Sequence, residues 1–180
     1  MLGGVVCTVA CVALLHLARR RDLPPVSHRL SEYATGPWGW VMALAFAGLA
    51  VSLFGMAVGL RDRSRPGVAL ALVGAAGAVL AAVFRTGGPG MEDGLHSNAS
   101  TVVTVATVAL AVVVARAGGD RVSRTLAMAA VVLLAVSPAL HHTSVTGLSQ
   151  RLLWAVLLAW LVRCEHAWVP GRVHRRVAGS

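Results

Sequence analysis

Polar residues are nearly absent from six long stretches of this chain, at about 2–18, 38–60, 67–84, 96–115, 125–140 and 150–163, and they gather between those stretches. A soluble amphipathic helix would carry a polar stripe at a 3.6-residue period, and a half-buried strand would alternate. These blocks do neither. Backbone amides in hydrocarbon must bond within their own segment, so each block predicts a transmembrane helix. The expected fold is an all-α, polytopic helix bundle with six spans. It forms one integral membrane domain over 1–180, whose last stretch, 164–180, is a basic cytoplasmic tail.

The block edges are chemically marked. The first block ends at Arg19-Arg20-Arg21, and Pro24-Pro25 forbids continuation. That edge has no small-residue cleavage site, so the block is expected to stay as a span rather than leave as a signal peptide. Trp38 and Trp40 open the second block as interfacial ring anchors. Gly48, Ser52, Gly55 and Gly59 then form a small-residue stripe, and Gly67, Ala71, Gly74 and Ala78 repeat it in the third block. Small residues let helix backbones approach closely. With only six residues, 61–66, between the two blocks, a tight antiparallel hairpin packed along these two stripes is expected.

Composition agrees with a lipid environment. Hydrophobic residues make up 57% of the chain and mean hydropathy is +0.74, leaving too little polar surface to coat a soluble globule. The net charge is +9, and all 16 basic residues are Arg. They flank the spans rather than line one face, so they suit a bilayer surface and not nucleic acid. Six spans place Arg61, Arg63, Arg65, Arg116, Arg121, Arg124, Arg163, Arg172, Arg175 and Arg176 on one side. Arg19, Arg20, Arg21, Arg29, Arg85 and Arg151 fall on the other. The positive-inside rule then puts both termini in the cytoplasm of a plasma-membrane protein, against the pull of the Arg19–Arg21 triplet. The tail Gly171–Arg176 is expected on anionic lipids. Three cysteines, Cys7, Cys11 and Cys164, make no disulfide framework and read as small core residues.

The same alternation gathers the unusual polar groups at the opposite, outer face. Ser31, Glu32 and Tyr33 come from the first loop, Arg85, Asp93 and His96 from the third, His141, His142, Gln150 and Arg151 from the fifth. His16 and His28 lie at that level too. Ionisable groups at membrane depth are costly and mark functional candidates. One chemistry is a zinc site, with His96, His141 and His142 as ligand candidates, Glu32 or Asp93 completing the set, and Glu32 or Ser31 assisting. The bland reading is that these histidines cap helix ends in interfacial water. Ser31-Glu32 near His28 holds the atoms for nucleophilic catalysis but no Gly-x-Ser-x-Gly elbow. Glu32 is expected to pair with Arg85 or Arg151 and clamp the loops together. Thr101, Thr104 and Thr107 are expected to bond back to their own helix or to pack between helices rather than line a pore. No carboxylate lies mid-span, which disfavours proton-coupled transport.

Ser31-Glu32-Tyr33-Ala-Thr-Gly36-Pro37-Trp38-Gly39-Trp40 resembles the signature of a bacterial multi-pass membrane family called domain of unknown function 998. Phe84-Arg-Thr86, Gly94-Leu-His96 and Gly147-Leu-Ser-Gln150-Arg151 extend the resemblance over the chain. It implies a six-span bundle in which Ser31, Glu32, Tyr33, His96 and Arg151 match motif positions, and it implies no activity. Family members often carry an acid just after the Phe-x-Thr segment. Here Gly87 and Gly88 stand there, with Glu92 or Asp93 as the nearest substitutes.

The expected function is binding of a lipid headgroup, small ligand or partner at the outer polar cluster. The alternatives are an intramembrane metal-dependent hydrolase of lipid-like substrates and a small-solute transporter.

Overall fold

The computed structural model describes residues 1–84, 91–140 and 143–168, with side chains through His166. Six helices follow one another: α1 Leu2–Arg19, α2 Gly39–Leu60, α3 Arg65–Val83, α4 Met91–Arg116, α5 Arg121–Val136 and α6 Thr146–Trp168. A short 3-10 helix, Leu30–Ala34, lies in the loop between α1 and α2. The described residues contain no strand.

Each helix packs on its neighbours in sequence, so the bundle runs up and down. The ring is closed by α1 and α6, which pack far less tightly than sequential neighbours do. Val6, Leu17, Val51, Phe54, Leu72, Val79, Met128 and Val132 point outward. Such an apolar surface has no reason to face water, and five of the helices are long and apolar enough to cross a bilayer. This is a multi-pass membrane protein. The exception is α5, whose 16 residues span about 24 Å against a hydrocarbon core of about 30 Å. Turn residues 137–140 carry the chain on from its end.

Several helices begin earlier than their apolar blocks. Ser64 caps α3, its hydroxyl accepting from Gly67 N at 3.1 Å, and Pro66 sits in the first turn, where its missing N–H costs nothing. Asp120 caps α5 by accepting from Ser123 N at 2.8 Å, so α5 starts and ends four residues before the expected 125–140. Helix α4 starts at Met91, five residues ahead of the apolar block. Helix α6 runs on to Trp168, into the stretch expected to be tail. For α3 and α5, capping chemistry rather than hydropathy decides where the helix starts.

The glycine stripes do not face each other. Gly48 and Ser52 of α2 face α1: a Cβ on Gly48 would lie 2.7 Å from Gly4 O and 2.9 Å from Thr8 Oγ1. Thr8 spans this contact by donating to Ala45 O at 2.9 Å. Gly55 meets Met1, and Gly59 is exposed. The α3 stripe instead serves both neighbours. Gly67 abuts Leu60 and Gly74 abuts Leu53, both of α2, and Gly74 also meets Ala106 and Thr107 of α4. The α2–α3 hairpin exists, but α2 is sandwiched between α1 and α3, and its small face goes to α1.

At one end of the bundle Trp160 Nε1 donates to Ser123 Oγ at 3.1 Å. There Arg163 pairs with Asp120, and the Met1 amine lies 4.0 Å from Glu165 Oε1. The other end holds the loop after α1, the start of α4, the end of α5 and the start of α6.

Candidate functional site

Arg151 is the hub of that second end. It sits in the second turn of α6 and reaches back to the loop between α1 and α2. Its Nη1 donates to Pro25 O at 2.5 Å and His28 O at 2.6 Å, and Gly147 O lies 2.9 Å away. Its Nε donates to His16 Nε2 at 2.7 Å. His16 Nδ1 lies 2.7 Å from Val12 O. A carbonyl can only accept, so Nδ1 carries the proton and Nε2 offers its lone pair to Arg151. The buried ring of Tyr33 lies under the guanidinium, 5.2 Å from its central carbon, and packs edge-on to His16 at 5.1 Å. The remaining nitrogen, Nη2, is buried and bonds to none of the described residues.

Two further bonds fasten the loop to α6: Leu30 N donates to Gln150 Oε1 at 2.7 Å and Leu148 N to Val26 O at 3.0 Å. Gly147 makes the approach possible, because a Cβ there would fall on His28 O and Pro25 O.

Glu32 does not pair with Arg151. Its Oε2 accepts from His28 Nδ1 at 2.6 Å and its Oε1 from Arg29 N at 3.0 Å, a capping box that starts the 3-10 helix. Four residues of separation bring His28 within reach, whereas Arg151 Nη1 and Nε are engaged by backbone carbonyls and His16. The clamp foreseen between loop and helix exists, but its acceptors are backbone oxygens rather than a carboxylate. Burial pushes the Glu32 carboxyl upward, and the hydrogen bonds from His28 and Arg29 N more than reverse this, so its pKa lies below the usual 4.5. A depressed carboxylate pKa adds stability above about pH 4.5, and this is lost as pH falls through the folded value. Thermal unfolding in detergent should show the gap between wild type and Glu32→Gln closing as the pH is lowered from about 6 to about 3.

His96 sits in α4, only 2% exposed. Its Nδ1 lies 2.6 Å from Phe84 O and 3.1 Å from Ala81 O. By the same reasoning Nδ1 carries the proton, and Nε2 accepts from Ser100 Oγ at 3.3 Å. The ring of Phe46 holds the imidazole edge-on at 5.6 Å. Thr101, Thr104 and Thr107 bond back to the carbonyls of Ser97, Ser100 and Val103. Ser100, in contrast, turns to the imidazole.

These groups surround one end of a cavity of about 850 Å³. Its polar end is lined by His16, Ser31, Glu32, Asp93, His96, Ser97, Ser100, Gln150 and Arg151. Below them the walls turn apolar: Val5, Val9 and Val12 of α1, Leu49 of α2, Val105 of α4, Leu134 of α5, and Trp154, Leu158 and Val162 of α6. From Arg151 to Val162 the lining follows α6 for about 16 Å. The α1–α6 seam, the loosest in the ring, forms one side of it.

Of the expected site residues, Ser31, Glu32, Asp93, His96, Gln150 and Arg151 line this cavity, while Tyr33 lies behind Arg151 as a packing support. Arg85, His141, His142 and the tail Gly171–Arg176 lie outside the described residues, as do Thr86, Gly87 and Gly88. Among the described residues no three His, Cys, Asp or Glu side chains converge as a metal site would require. Two participants escaped the sequence reading. His16 lies at the expected level and its ring is the partner of Arg151, and Ser100 lies one helical turn after His96, a spacing that brings its hydroxyl to the imidazole.

No curated protein and no solved structure matches the chain. The model of the family described as "Protein of unknown function (DUF998)" matches residues 1–164, from α1 well into α6 and across all the cavity-lining residues. The chain thus belongs to the DUF998 family.

Proposed function

We propose that this protein binds a single amphipathic lipid inside its bundle, with an anionic head against Arg151 and an acyl chain running down toward Val162. The observation that carries this reading is the cavity, whose lining has Arg151 at a polar end and turns apolar along α6. A guanidinium at the polar end of a cavity in a low-dielectric layer favours an anionic head, such as a carboxylate or phosphate. The cavity supports the rest of the molecule, since its size suits a ligand and its lining passes from polar to apolar along one axis. Selectivity would rest with the head. An acyl chain moving from bilayer to cavity exchanges one apolar surrounding for another, so the tail contributes little discrimination. The protein would lie in the plasma membrane with the Arg-rich face cytoplasmic and the tail, including Arg172, Arg175 and Arg176, on anionic lipid.

Trp154 lines the cavity and reports on it. In nanodiscs of zwitterionic lipid, dibromostearate should quench its fluorescence saturably, and the methyl ester of the same acid about tenfold less tightly, a difference of about 1.4 kcal/mol. Trp154→Phe should remove the saturable component. Equal quenching by acid and ester would sink the anionic head, and the absence of saturable quenching would sink the cavity as a ligand site.

A further inference from the structure

We propose that Ser100 and His96 form a nucleophile–base pair acting on an acyl ester carried by the amphiphile. The inference rests on the binding reading above and adds a reaction to it. Three observations support the pair. His96 Nδ1–H is fixed by Phe84 O at 2.6 Å, which leaves Nε2 as the basic nitrogen. Ser100 Oγ, half-buried at the cavity wall, donates to that nitrogen at 3.3 Å. The imidazole is held in place by Phe46 and is otherwise enclosed. A serine hydroxyl on a base that is itself oriented by a third group is the arrangement that nucleophilic catalysis requires, and such contacts are often loose before substrate binds. Here the third group is a carbonyl. It fixes the tautomer as a carboxylate would, but without a full charge to favour the imidazolium.

The reaction balances with water as co-reactant. Ser100 Oγ attacks the ester carbonyl carbon while its proton passes to His96 Nε2. The tetrahedral adduct collapses, the carbon–oxygen ester bond breaks, and the same proton goes to the departing alcohol. Water, deprotonated by His96, then attacks the acyl-Ser100. Release of a carboxylic acid restores the serine hydroxyl.

An alkyl fluorophosphonate tests the pair directly. Its phosphorus bonds to the activated oxygen with loss of fluoride, whatever the natural ester. Mass spectrometry of the labelled full-length protein should place the adduct on Ser100. Ser100→Ala should abolish it, and His96→Gln should slow it at least about 100-fold, as loss of a general base does. Ser27→Ala and Ser144→Ala, exposed loop serines outside the cavity lining, should label like wild type. Dibromostearate quenching, run in parallel on wild type, separates the two readings. Intact quenching with no adduct at Ser100 in wild type would overturn the nucleophile while leaving the binding site. Loss of the saturable quenching in wild type would overturn both.

Discussion

Arg151→Ala is expected to be the most damaging single substitution in the protein, lowering stability by about 3–5 kcal/mol and abolishing saturable quenching by dibromostearate. The side chain donates to backbone oxygens of the loop after α1 and to His16 of α1. Bonds to a charged donor contribute about 1.5–3 kcal/mol each, and buried acceptors left without a donor carry a further penalty. The bonds share one side chain, so their losses do not add in full. Arg151→Lys should recover little, because an ammonium cannot present the planar fork that reaches both His16 and the carbonyls. Thermal unfolding in detergent, read beside the quenching titration, checks this. A variant with wild-type stability that has lost only binding would mean that the hub serves the ligand and not the fold.

Gly147→Ala should be nearly as harmful, at about 3 kcal/mol, although it adds one methyl group. That methyl would occupy the space of His28 O and Pro25 O, with Arg151 Nη1 2.7 Å away. Backbone on both sides leaves no flexible side chain to yield, so the loop must lift off α6 and the Arg151 bonds lengthen. Gly94→Ala is the matched control: among the described residues nothing lies within 4 Å of its added Cβ, and alanine is the better helix former by about 0.5–1 kcal/mol. The two variants should therefore shift the unfolding temperature in opposite directions. Similar shifts would mean that the loop does not rest on α6 at Gly147.

The helical, membrane-spanning character was legible because insertion depends on local hydropathy, a property of each segment alone. Up-and-down alternation followed from short connections, and with it the grouping of Glu32, His96, Gln150 and Arg151 at one end. Helix starts were less legible. Ser64 and Asp120 begin helices ahead of the apolar residues, so a hydropathy boundary misses them. The direction of the small-residue stripe on α2 was not legible either. Gly48 and Ser52 can receive any close neighbour, and α1 took the place assigned to α3.

Partnership at the polar end lay further out of reach. Glu32 found His28 four residues away, an interaction that sequence spacing could have suggested. Arg151 found His16, 135 positions earlier, and the loop carbonyls, which carry no sequence signature at all. What the sequence determined by itself was the solvent, the helices and which polar residues share a membrane face, because those depend on short-range composition and on the parity of crossings. Only the tertiary structure decided that the cavity exists, that Arg151 at its polar end is held by His16 and the loop carbonyls, and that Ser100 meets the imidazole of His96. Those outcomes depend on how six helices divide the available volume, and on rings and guanidinium groups orienting to satisfy buried partners in a medium where water cannot.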